Sequence, residues 1–164
     1  MFYKNLKLNK KGQVLIEAVI AIAVVAFVMS GIVAALILSV NNATFSKNQN
    51  LATNFAQEGI DIARDLKDSD FQAFSTLQGY YCIDEGDIAI DPSKTTCSKN
   101  VDSAFTRRVY INQNGEDARQ SLAQRGCEAN LAFVASIVTW NDSRCQGTAE
   151  CHEVELNSCF ADLK

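Results

Sequence analysis

The chain has 164 residues, a formal net charge of −4, six cysteines, one histidine and one proline. That length suits one small domain and not two. The acidic balance excludes a general nucleic-acid footprint, which needs clustered basic charge; Arg107 and Arg108 are a local exception expected to flank a strand.

Residues 1–12 hold Lys4, Lys7, Lys10 and Lys11 and no acid, so the −4 of the whole chain leaves −8 beyond Gly12. From Val14 to Val40 run 27 residues with a single charge, Glu17. As a helix that run is roughly 40 Å long at about 1.5 Å per residue, against ~30 Å of bilayer hydrocarbon. A membrane span is expected, with a buried core helix as the alternative. The lysines hold the start of the chain on the cytoplasmic side, which places the acidic remainder outside.

A secretory signal peptide would carry an apolar run about half this long, followed by a small-residue cut site. A cut near Ser39 and an uncleaved signal anchor stay open as competing readings. Glu17 separates them from a third. A carboxylate within a span costs up to ~2.5–3.5 kcal/mol at the bilayer centre, so it needs a partner, and the span contains no basic residue. A cut after Gly12 would give Gln13 a new α-amine, and residues four apart share a helix face. Glu17 could then pair with its own amine or with that of a neighbouring subunit.

The run Lys10-Lys11-Gly12, four residues, Glu17 and a continuous apolar helix resembles the class III signal of type IV prepilins and type II secretion pseudopilins. The resemblance implies cleavage after Gly12 by a prepilin peptidase, N-methylation of Gln13, and a role for Glu17 in docking subunits in a filament. Gln13 stands where the family usually has phenylalanine, and an N-terminal glutamine can cyclise instead of being methylated.

Beyond the span, Asn41 and Asn42 mark a membrane exit, and Ser30-Gly31 is a candidate kink. Leu51, Phe55, Ala56, Ile60, Ala63 and Leu66 follow a three-to-four spacing, which predicts an amphipathic continuation of the helix. Asp68-Ser69-Asp70 reads as its end. Residues 69–104 carry no recognisable pattern. Strands are expected over Phe105–Ile111, with Phe105, Val109 and Ile111 on one face and Thr106, Arg108 and Tyr110 on the other. Further strands are expected over Leu131–Trp140 and around Val154 and Leu156. Asn114-Gly115 is a turn signal, and residues 115–130 read as a loop or short helix. The order Phe105-Thr106-Arg107, Ile137-Val138-Thr139-Trp140, Val154-Glu155-Leu156 resembles the head sheet of minor pilins and minor pseudopilins of the type IV pilus modification kind, over about 50 residues. The expected fold is therefore α+β. It divides into a cleaved leader at 1–12, a transmembrane or filament-core helix at 13–40, its amphipathic continuation at 41–68, and a small antiparallel head at 69–164.

All six cysteines follow the span, in an even number and an external compartment, which favours disulfides. Zinc is the competing reading, because Cys145, Cys151, His152 and Cys159 cluster, although no Cys-x-x-Cys pair occurs. The preferred pairs are Cys82 with Cys97, closing the loop within 69–104, and Cys145 with Cys151, closing the last hairpin. Cys127 and Cys159 are left for each other.

No catalytic motif or cofactor fingerprint stands out, and the one histidine, His152, follows Cys151 where strand geometry would turn the two side chains apart. Asn42-Ala43-Thr44 and Asn141-Asp142-Ser143 match a glycosylation acceptor. The expectation is a structural, non-enzymatic subunit without a cofactor. It would be a single-pass precursor with an external head, later part of a cell-surface or periplasm-spanning filament. Its partners would be the prepilin peptidase, other pilin subunits, an inner-membrane assembly platform and the membrane itself. The alternatives are a pseudopilin of a type II secretion or DNA-uptake system, or a membrane-anchored binding protein outside any filament.

Overall fold

The structure is a computed structural model that describes residues 10–114, 127, 131–142, 145 and 151–161, with side chains from Val14 onward. It divides into two compact units, Met1–Phe45 and Ser46–Lys164.

The first element is the helix α1, Lys10–Ser69. The chain's single proline is Pro92, so nothing in this run removes a backbone donor. In the first unit α1 is apolar, and every side chain from Val14 to Val40 is exposed. The helix is long and apolar enough to cross a membrane. Two of its hydroxyls bond back to the helix: Ser30 Oγ donates to the Phe27 carbonyl at 2.7 Å, and Thr44 Oγ1 to that of Val40 at 3.0 Å. Such back-bonding pairs the protons of those two hydroxyls in apolar surroundings. The expected kink site, Ser30-Gly31, is helical like its neighbours.

In the second unit the rest of α1 packs on a four-stranded antiparallel sheet, a pilin-like α+β arrangement. The strands are β1 (Gly79–Cys82), β2 (Phe105–Asn112), β3 (Leu131–Trp140) and β4 (His152–Ala161), side by side in chain order. Ala52, Ala56, Gly59, Ile60 and Ala63 are buried on α1, at the spacing of the expected stripe. The stripe is rich in small residues, which lets the helix lie close to the sheet. A β-carbon at Gly59 would stand 2.3 Å from Ser136 Oγ and 3.2 Å from Val109 Cγ2, so any larger residue at position 59 would force the sheet side chains to shift. The helix face of the sheet carries Phe105, Arg107, Val109 and Ile111 of β2 opposite Trp140, Val138, Ser136 and Val134 of β3. Rings interlock there: Phe55 meets Phe105 edge-on at 5.3 Å, and Phe74 lies 5.9 Å from Phe160.

β3 is buried on its other face as well, at Phe133, Ala135, Ile137 and Thr139. Tyr80 and Tyr110 line that outer face, with ring centroids 4.8 Å apart, and Arg108 lies over Tyr80.

α1 ends at Ser69, one residue beyond the expected Asp68. Asp70 then caps the short helix α2, Phe71–Ser75, by accepting from the Ala73 N–H at 2.9 Å. The stretch without a recognisable pattern thus holds a five-residue helix and the edge strand β1. Arg107 and Arg108 do not flank a strand; both lie inside β2, with their side chains on opposite faces. The expected turn at Asn114-Gly115 is described as far as Asn114, and the expected loop or helix at 115–130 lies outside the described residues apart from Cys127.

Candidate functional site

The expected processing bond, Gly12 to Gln13, falls in the first turns of α1, which starts at Lys10. The side chains of Lys10, Lys11 and Gln13 lie outside the described set. Glu17 is exposed among exposed apolar neighbours, Ile16, Val19 and Ile20. A carboxylate in such a setting is tolerated in a membrane or apolar bundle when an amine or guanidinium comes to it.

The head is held by three disulfides: Cys82–Cys97, Cys127–Cys159 and Cys145–Cys151, with Cα–Cα distances of 5.4, 5.7 and 5.6 Å. These are ordinary spans for the bond. The first anchors the loop after β1 to the edge of the sheet. The second sets Cys127 against the outer face, because Cys159 pairs with Phe133. The third closes the connection between β3 and β4.

Sequence reasoning missed the polar centre of the head. Arg107 is a core residue with a 0% exposed side chain, and all three of its guanidinium nitrogens donate. Nη1 donates to Glu58 Oε2 at 2.6 Å and to the Phe55 carbonyl at 3.3 Å; Nη2 donates to the Asp84 carbonyl at 3.0 Å and Nε to that of Ile83 at 3.2 Å. One side chain thereby ties α1, β2 and the loop after β1 together. The planar fork of arginine suits this task, since it serves several acceptors at fixed angles. Asn100 completes the arrangement. It accepts from the Arg107 N–H at 2.7 Å and donates to the Arg107 carbonyl at 2.9 Å. The register of β1 ends at Cys82 opposite Arg108, so the Asn100 side-chain amide stands in for the next residue of an edge strand.

The loop after β1 has its own charge cluster. Lys94 Nζ donates to Asp84 Oδ2 at 2.8 Å and to Asp87 Oδ2 at 3.0 Å. The hydrogen bond from Lys94, then the Asp84 N–H, holds the Asp87 carboxyl below the usual carboxylate range. The Ser93 hydroxyl and N–H do the same for Asp91. The hydrogen bonds to Asp84 and Asp87 hold the Lys94 ammonium above the usual lysine range.

At the β3–β4 end, Asp142, Cys145, Cys151 and His152 bring their ligand atoms within 4.8 Å of one another. His152 Nε2 lies 3.2 Å from Asp142 Oδ2 and 3.6 Å from Cys151 Sγ. Cys151 precedes the first residue of β4, so the alternation expected to separate it from His152 does not apply. Cys159, expected in this cluster, is bonded to Cys127 instead, and Asp142 takes its place.

Compared with known proteins, the chain matches no family model, no curated protein and no solved structure.

Proposed function

We propose that the chain is a minor pilin-like structural subunit of a type IV pilus filament, made as a single-span precursor and cut by a prepilin peptidase between Gly12 and Gln13. One observation carries this reading. Glu17 stands four residues beyond the amine that such a cut would create, at the start of a helix whose side chains from Val14 to Val40 are all exposed. An apolar surface of that extent needs cover from lipid or from other helices. A filament core supplies the second kind of cover, so the helix can leave the bilayer without meeting water. The acid then rewards correct register, because an unpaired carboxylate is costly in apolar surroundings. The α+β head stapled by three disulfides fits an external subunit.

The test is the mass of the mature N-terminus. A protein that begins at Gln13, whether methylated, free or cyclised, supports the reading. One that still begins at Met1 overturns it in favour of a plain membrane anchor. A bulky residue at Gly12 should block the cut.

A further inference from the structure

We propose that Asp142, Cys145, Cys151 and His152 form a redox-gated site for one zinc ion, closed while the two cysteines are bonded and open once they are reduced. The donor set is two sulfurs, one imidazole and one carboxylate, a combination suited to tetrahedral zinc.

The geometry is nearly made. With ordinary zinc–ligand bonds, neighbouring ligand atoms of a tetrahedral site stand about 3.4–3.8 Å apart. Here His152 Nε2 is 3.2 Å from Asp142 Oδ2, Cys151 Sγ is 3.6 Å from His152 Nε2, and Cys145 Sγ is 3.7 Å from Asp142 Oδ1. Asp142 presents Oδ2 to His152 and Oδ1 to Cys145, and the four ligand atoms as a set lie within 4.8 Å of one another; the edge between the bonded sulfurs departs from this frame. The two Cα atoms, 5.6 Å apart, already let both side chains converge on one point. The sheet fixes the rest. His152 is paired in register with Trp140, and their rings lie 5.2 Å apart. Asp142 follows two residues after Trp140. The Cys151 N–H donates to Asn141 Oδ1 at 3.0 Å, which holds the two arms of the connection together. The Asp142 N–H points at Cys145 Sγ from 3.3 Å, a contact that favours a thiolate there.

The opening step balances. A dithiol donates two electrons and two protons to the Cys145–Cys151 bond; the bond breaks into two thiols and the dithiol becomes a disulfide. Zinc then displaces both thiol protons to solvent and binds the two thiolates, His152 and Asp142. The connection between β3 and β4 is closed in either state, by a covalent bond or by the metal.

The experiment uses the full chain in detergent, reduced anaerobically with a phosphine, freed of reductant and titrated with Zn²⁺. Bound zinc is read by elemental analysis. Cobalt is titrated in parallel, with thiolate-to-cobalt absorption as the reporter of sulfur ligation. The expected result is one zinc per reduced chain and none on the oxidised chain. His152→Ala and Asp142→Asn should each weaken zinc binding by about tenfold or more, with unchanged far-UV circular dichroism in the oxidised state. The Cys145→Ser/Cys151→Ser variant keeps the other four thiols and should bind none. Stoichiometric zinc in that double variant, or unchanged affinity in both His152→Ala and Asp142→Asn, overturns the proposal.

Discussion

Glu58→Ala should destabilise the head more than Arg107→Met, although Arg107 is the buried partner. The two side chains form one ion pair, but Arg107 is 0% exposed and Glu58 is 47% exposed. Removing Glu58 leaves a guanidinium that cannot lose its proton with no counter-charge in the interior. Breaking a buried pair in this way costs about 3–5 kcal/mol. The lower end applies here, because truncating a half-exposed side chain also lets water approach Nη1. Removing Arg107 leaves a carboxylate that solvent can take over, which is the inexpensive direction. The carbonyls that Arg107 serves in the loop each keep another donor, since Ile83 retains Asn100 Nδ2 at 3.0 Å and Asp84 retains the Asp87 N–H at 3.2 Å. Methionine fills a similar volume without polar atoms to satisfy, so Arg107→Met should cost roughly 1–1.5 kcal/mol. A thermal melt followed by fluorescence of the single tryptophan, Trp140, reads the difference. A loss of about 3 kcal/mol corresponds to a fall of roughly 12–15 °C in Tm for a head of this size. The double variant should melt close to Arg107→Met alone. If Arg107→Met melts at or below Glu58→Ala, the assignment of the cost to the uncompensated cation is wrong.

Gly59→Ala should lower stability by about 1–3 kcal/mol through overpacking against Ser136 and Val109, and Ser136→Gly in the same chain should recover part of the loss in a urea melt. Ser136→Ala alone should raise the urea midpoint, by about 1 kcal/mol of stability, because Ser136 Oγ is buried with no partner among the described residues. In the loop after β1, the lowered Asp87 and Asp91 values contribute stability that is present above the unfolded carboxylate value of about 4 and is lost as pH falls through the folded values. The raised Lys94 value contributes stability that is full below about 10.4 and is lost as pH rises through its folded value. Lys94→Met should therefore flatten the acid side of a melting-temperature profile below pH ~4; a profile superimposable on the native one would show that Lys94 does not set the Asp87 titration. Glu17→Ala should leave membrane insertion intact and impair incorporation into filaments, and normal incorporation in a cell-surface shear assay would remove Glu17 from docking.

Much of the fold was legible where a period was long enough to read. The helix stripe from Leu51 to Leu66, the alternation in Phe105–Ile111 and the apolar run Leu131–Trp140 appear as α1, β2 and β3. Loop closure also picked out Cys82–Cys97 and Cys145–Cys151, and Cys127–Cys159 was the pair then left over; all three are present in the structure. Arg107 was not legible, because its acceptors are backbone carbonyls and a carboxylate from positions 55, 58, 83 and 84, which no local pattern announces. Residues 69–104 stayed opaque for a related reason. α2 and β1 are too short to show a period, and the loop after β1 takes its form from side chains such as Asn100 and Lys94 that bond across it. The metal-ligand cluster was half legible. Proximity in sequence suggested Cys159, but the register sets Cys159 opposite Phe133, while Asp142 lies just past the Trp140–His152 pair.

All three covalent cross-links join residues between Cys82 and Cys159, and none reaches α1. The mechanical strength of the head is therefore uneven. A pull carried through the loops or across the sheet meets sulfur–sulfur bonds. A pull that draws the Ser46–Ser69 stretch of α1 away from the sheet meets the small-residue seam at Gly59, the Phe55–Phe105 ring contact and the Glu58–Arg107 pair, all of which are non-covalent. Under load the helix would peel first and the stapled sheet would survive it as a unit. The yield point of the molecule would then be set by non-covalent contacts of α1 rather than by any sulfur–sulfur bond.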